Sequence, residues 1–265
     1  MKSLLDWYKE FLIIRENLEK TDTVDLSKFS FIDTELLLLV FPYLRDNIPL
    51  TIQDSNSPVK SYMDFITAHY NSLEENENFM PIVTLNENNY DELLDRTFTI
   101  LNSKFDIKNK NVIGYIIGEL YTNIKDHSKS TENYIVVQYY KRLGLEISVY
   151  DNGIGIPGNF KDHSLPFKND CEAIEKAILG ESTKNCGNID QAERGRGLLS
   201  INNIMKKRNE DEFIIISNKG IYHYLNGSKK VYELPENYQL NGTLVSIIFK
   251  NKKVLNEINL YDTIE

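Results

Sequence analysis

The chain is poor in cysteine, proline, glycine and positive charge, and it has no long apolar run. Its only cysteines are Cys171 and Cys186, too few for a disulfide framework, so a reducing, cytoplasmic setting is expected. Neither a C-x-x-C nor an H-x-x-x-H pair occurs, which leaves zinc no ready ligand spacing. With 7 Pro and 13 Gly against 12 Phe and 16 Tyr, collagen-like and wholly disordered chains are excluded. The longest apolar run, Leu36 to Phe41, is core-sized and far short of the roughly 20 residues that span a bilayer. The first twenty residues are broken by charges, lack a small-residue cleavage site, and read as a packed amphipathic helix. No membrane association is therefore expected. Lys and Arg total 30 against 39 Asp and Glu, a net charge of −9. Such a balance offers no general basic surface, and nucleic acid is not an expected partner.

What is present is an ordinary globular composition, 41% hydrophobic and 26% charged over 265 residues, enough for a sizeable core. The pattern changes near residue 75. Before it come a helix, a β-rich segment at 23–30, an apolar helix from about Asp33 to Leu44, a strand near 49–53, and a helix opening at Pro58. The acidic, polar run Glu74 to Asn78 reads as a linker. Residues 1–78 are thus expected to form a small α/β domain and residues 79–265 a second domain.

In the second part a strand at 80–85 is followed by helices at about 89–103 and 110–128 and by strands at 134–140 and 145–150. A glycine-punctuated stretch then leads to a helix at 198–207 and strands at 213–217, 221–225, 229–233 and 244–249. Asn218-Lys219-Gly220 and Asn226-Gly227-Ser228 carry hairpin-turn chemistry. The fold class expected is α/β. For the second domain this means a two-layer sandwich with a mixed, largely antiparallel sheet. No internal repeat is present.

Four short elements stand out. On the long helix, Glu119, Asn123 and Asp126 fall within about 60° of one another, beside a core stripe of Ile113, Ile117, Leu120 and Ile124. Alone, such a stripe is a solvated face. A strand then runs into Asp151-Asn152-Gly153-Ile154-Gly155-Ile156-Pro157-Gly158, whose glycines imply close backbone approach or positive φ. Read literally it is G-x-G-x-x-G, but the residues after it lack helical periodicity, which argues against a Rossmann site. No P-loop occurs. The third element, Arg194-Gly195-Arg196-Gly197-Leu198, opens a helix and supplies free backbone N–H groups between two cations, an anion site in outline. The fourth is Asn241-Gly242-Thr243 before the last strand.

In this order and on these element types, the four resemble the GHKL ATPase superfamily of gyrase, MutL, histidine kinases and anti-sigma serine kinases. The resemblance covers about Met80 to Lys250. Glu119-x-x-x-Asn123-x-x-x-His127 looks like its N-box, Asp151-x-Gly153-x-Gly155 like its first glycine box, Gly195-x-Gly197-Leu198 like its second, and Gly242-Thr243 like its last nucleotide-side turn. It implies ATP and Mg²⁺ as cofactors. Asp151 would accept the adenine amine, with Gly153, Gly155, Ile156 and Thr243 around the base. Asn123 would ligate Mg²⁺, with Asp126 and His127 beside it. Arg194, Gly195, Arg196, Gly197 and Leu198 would hold phosphate, and Glu119 would orient or deprotonate the nucleophile. The segment between the glycine boxes would be an ATP lid, with a helix capped by Asn169 and ended by Gly180.

The four histidines, His69, His127, His163 and His223, have no H-[ED] context, which disfavours a self-phosphorylating sensor kinase. ATP hydrolysis or serine/threonine phosphotransfer in a regulatory partner switch is expected, the alternative being an ATP-gated binding module with negligible turnover. Residues Val24 to Tyr70 resemble, more weakly, a STAS or anti-anti-sigma-like domain, with Thr34 at the phosphoacceptor position and Glu35 where a small residue is usual. That resemblance implies a regulatory protein partner for the N-terminal domain. It also leaves a homodimer open.

Overall fold

The structure is a computed structural model, and residues 4–46, 48–52, 57–73, 79–104, 111–181, 196–208 and 210–250 are described. The expected linker at 74–78 lies outside them. The N-terminal part contains α1 (Leu4–Thr21), β1 (Val24–Asp25), α2 (Thr34–Arg45), β2 (Leu50–Thr51) and α3 (Pro58–Ala68). Only two residues of each expected strand pair, in parallel. The Asp33 side chain caps α2 by accepting the Leu36 N–H at 3.2 Å, and Ser57 caps α3 by accepting the Lys60 N–H at 3.1 Å, each worth about 1 kcal/mol.

The second part runs β3 (Phe79–Val83), α4 (Tyr90–Lys104), α5 (Asn111–Asn123), a π-helical turn (Ile124–Ser128), β4 (Asn133–Tyr140) and β5 (Gly144–Asp151). Then come α6 (Gly155–Asp162), α7 (Asp170–Ile178), α8 (Gly197–Lys206), β6 (Glu212–Asn218), β7 (Gly220–Leu225), β8 (Ser228–Glu233) and β9 (Leu240–Phe249). Seven strands form one sheet in the order β3-β4-β5-β9-β6-β7-β8, every pair antiparallel. A mixed sheet was expected. The parallel strands that would mix it are confined to β1 and β2, outside this sheet. At the β7–β8 turn Asn226 and Gly227 both have positive φ, 52° and 74°, as a two-residue hairpin requires.

Period-two alternation gives the sheet two apolar faces. On the front, Ile135, Val137, Ile147, Val149, Val245, Ile247, Phe213 and Ile215 pack with α4, α5, α7 and α8. On the back, Tyr134, Val136, Tyr150, Ile214, Ile216 and Leu244 share one cluster with α1, α2 and α3. Helix α2 is buried along almost its whole length, because it is covered by α1 on one side and the sheet on the other, and a helix apolar all round belongs in such a place.

Candidate functional site

Strand β5 delivers Asp151 to the sheet edge, where it pairs with Thr243 at the start of β9. The chain then turns through Gly153 and Ile154 into α6. Gly155 sits at φ +72° with no room for a Cβ beside Asn218 and Ser217, so only glycine makes this turn. The turn is tied down on both sides. Ser128 at the end of the π turn accepts the Ile154 N–H through its carbonyl at 2.8 Å, and the Ser217 hydroxyl accepts the Ile156 N–H at 2.8 Å.

These elements enclose a cleft of about 800 Å³, including its open mouth, the size of a small-molecule site. Of the residues singled out in the sequence, Asn123, His127, Asp151, Gly155, Ile156, Leu198 and Thr243 line it. Gly153 lies behind the wall and donates its N–H to Asp151 Oδ1 at 2.9 Å. Glu119 adjoins the cleft rather than lining it. Its Oε2 lies 2.1 Å from where a Cβ on Gly197 would stand, so glycine at 197 is what admits this carboxylate to the start of α8. Arg196 is exposed at the N-cap of α8. Arg194 and Gly195 lie outside the described residues, as do Cys186 and the part of the expected lid from 182 on.

Two expectations are corrected here. Asp126 does not join Glu119 and Asn123 on the cleft side. The π turn at Ile124–Ser128 widens the helix, shifts the stripe, leaves Asp126 exposed and brings His127 to the wall. A helix does begin directly at the first glycine box, α6, where the sequence lacked helical periodicity. Gly155, Pro157 and Gly158 conceal the pattern, and the helix is anchored by Phe160 and by the buried Gly155 and Pro157. The dinucleotide reading is excluded on other grounds: β5 is antiparallel to both its neighbours, whereas that fold needs a parallel βαβ unit. The expected lid helix is α7, capped by the Asn169 side chain, which accepts the Glu172 N–H at 3.0 Å. It is seated on the front face through Ile174 and Ile178.

Several wall residues went unnoticed in the sequence: Ser128, Val149, Asn159, Phe160 and Glu181, with Ser217 just behind them. Ser217 reaches the site through the pairing of β6 with β9, and no local pattern marks it.

The electrostatics centre on Asp151. Its side chain is almost fully buried, and burial pushes its carboxyl up to about 7 even though the Gly153 N–H favours the charged form. The Asn123 amide nitrogen, also at this cleft, is buried and makes no hydrogen bond to any described residue. A buried donor without an acceptor costs about 1–3 kcal/mol, and here it stands at a cleft. Among the described residues no group of three or more His, Cys, Asp or Glu is placed to hold a metal, and no helix is long and apolar enough to cross a membrane. Comparison of the chain with protein-family models, with curated proteins and with solved structures finds no match.

Proposed function

We propose that the cleft binds Mg·ATP, and that the chain is a GHKL-type ATPase or serine/threonine protein kinase of a cytoplasmic regulatory partner switch. In this reading the sheet with α4 to α8 is the two-layer nucleotide unit, and the helices before it are a small domain that meets a protein partner. The observation that carries the reading is Asp151: a carboxylate buried at the floor of a largely apolar cleft, its one hydrogen bond among the described residues coming from the neighbouring Gly153 N–H.

A buried acceptor of this kind selects a ligand that brings a donor, because any other ligand leaves it unsatisfied. An adenine amine meets that requirement. Ile156, Val149, Phe160 and Leu198 offer flat apolar contact for the base. The unsatisfied amide of Asn123 meets a need for a polar ligand atom. The oxygen of the same side chain is a hard donor suited to a phosphate-bound Mg²⁺, which keeps most of its ligands as water and phosphate oxygen. The start of α8 carries no acidic residue of its own and, among the described residues, no side-chain cap, so its first-turn N–H groups, which have no partner within the helix, suit phosphate. Glu119 stands beside that start, placed to orient or deprotonate an attacking hydroxyl or water.

The test is thermal unfolding with and without Mg·ATP. Ligand at a hundredfold excess over Kd adds about 2.7 kcal/mol, a rise in Tm that Asp151→Ala removes. An unchanged response in that variant refutes the adenine assignment. Product analysis separates the reactions: ADP with free phosphate means hydrolysis, label on protein means phosphotransfer, and neither means a nucleotide-gated binding module.

A further inference from the structure

The back of the sheet holds a buried polar cluster that the nucleotide reading does not use. At the first turn of α2, Thr34 and Glu35 are buried, at 0% and 4% exposure, and they meet Glu146 of β5 at 1%. The Thr34 hydroxyl donates to Glu146 Oε1 and lies 2.8 Å from the Ser148 hydroxyl. The Ser246 hydroxyl of β9 donates to Glu35 Oε1 at 2.9 Å, and Ser148 donates to Ser246 at 2.9 Å. The two carboxyl groups thus meet at one hydroxyl, Ser246 Oγ lying 2.9 Å from Glu35 Oε1 and 3.4 Å from Glu146 Oε1, inside the seam that joins the N-terminal helices to the sheet.

We propose that Glu35 and Glu146 share a single proton, and that this proton keys the N-terminal helical layer onto the back of the sheet. Two carboxylates cannot both ionise at this range in a dry seam. Burial, and then the Glu146 carboxylate, hold the Glu35 carboxyl well above its ordinary range, so Glu35 keeps the proton and donates it. Glu146 is pushed up to about 6 by burial, against the hydrogen bonds it receives from Glu35 and Thr34.

The other groups that face the pair do not replace the proton. From α2 there is Asp33, from α3 Tyr62, and from β4 Tyr140. Asp33 raises the Glu146 carboxyl further. Tyr62 donates to Gln138 Oε1 at 2.9 Å, and the buried Tyr140 hydroxyl makes no hydrogen bond. On β6, two strands from β5, Glu212 is engaged by His223 at 2.8 Å and Lys250 at 3.2 Å.

The sign follows. A carboxyl raised in the folded state stabilises the docked layer below its ordinary range, and that contribution is lost as pH rises through the folded value. Loss of the proton leaves two buried anions and loosens α2. The Thr34 hydroxyl, sealed in the docked state, would then be reachable.

The chain supplies its own probe, because its single tryptophan, Trp7, is buried in α1 within the same cluster of residues. Trp7 emission and acrylamide quenching are followed in the full-length protein from about pH 5 to about pH 9. In the wild type, emission shifts to longer wavelength and quenching rises several-fold with increasing pH, while circular dichroism of the sheet persists. Glu35→Gln gives a flat profile, since its amide donates to Glu146 at every pH. Glu146→Gln removes the second anion, and its amide donates to Glu35 once that carboxyl ionises, so this variant lacks the transition as well and serves if the first does not fold. A flat wild-type profile overturns the proposal, and so does the same transition in either variant.

Discussion

The hydroxyl of Ser217 stands 3.0 Å from that of Thr243 while accepting the Ile156 N–H at 2.8 Å. One fully buried side chain on β6 therefore joins the turn after Asp151 to the floor of the cleft on β9. Ser217→Ala leaves the Ile156 N–H and Thr243 without their shared partner. Affinity for Mg·ATP should fall about tenfold, the equivalent of roughly 1.4 kcal/mol, as read by isothermal titration. Unaltered affinity would show the node to be idle in binding.

Asp151 carries a pH signature. In the unfolded chain its carboxyl ionises near its ordinary value of about 4, whereas in the fold it does so at about 7. Between those values the native state holds a proton the unfolded chain has released, so stability falls as pH rises through this window. Asp151→Asn removes the penalty. Its Tm should match the wild type near pH 4 and exceed it by several degrees at pH 8. A variant less stable at pH 8 would mean that the ionised carboxylate is held by a partner.

For Glu119 the prediction concerns turnover rather than binding. Glu119→Gln keeps the size of the side chain and removes its basicity. Nucleotide affinity should stay within a few-fold of wild type while turnover drops about 10²-fold. Phosphate release and radiolabel transfer measured side by side check this, and undiminished turnover would favour the binding-module alternative.

Gly197→Ala probes the same carboxylate from the opposite wall. The added methyl occupies the place of Glu119 Oε2, so the carboxylate must move. Turnover should fall at least tenfold, since displacements of about 1 Å in a catalytic group are costly. The Asp151-dependent rise in Tm should remain. Full activity in this variant would show that the position of Glu119 is immaterial.

The sequence made the core legible where periodicity was strong. Ile113, Ile117, Leu120 and Ile124 are all buried, and the Asn169 cap and Pro58 in the first turn of α3 sit where their chemistry places them. Positions that depend on long-range pairing were hidden. Ser217 belongs to the site because β6 lies beside β9, with the return from β7 and β8 between them in the chain. The π turn was invisible because one extra residue in a helical turn leaves little compositional trace, and within it Asp126 is exposed while His127 lines the cleft. Thr34 illustrates a third limit. The resemblance puts it at a phosphoacceptor position after Asp33, but Asp33 is an N-cap and Thr34, in the first turn of α2, is sealed against Glu146 and Ser148 of the sheet, since strand-to-helix turns look alike in sequence whether they face solvent or a neighbouring layer.

The seam between α1–α3 and the sheet bears on how this chain can be cut. Trimming it at the polar stretch near residue 75 would strip the cover from Tyr134, Val136, Tyr150, Ile214, Ile216 and Leu244. That is a continuous greasy surface of the kind that drives self-association in a free-standing protein. The sheet with its front helices is therefore not a portable cassette. Limited proteolysis would leave the two fragments associated, and a chimera that borrowed the sheet and its front helices would have to bring the N-terminal helices with it, or supply another apolar shield, to stay in solution.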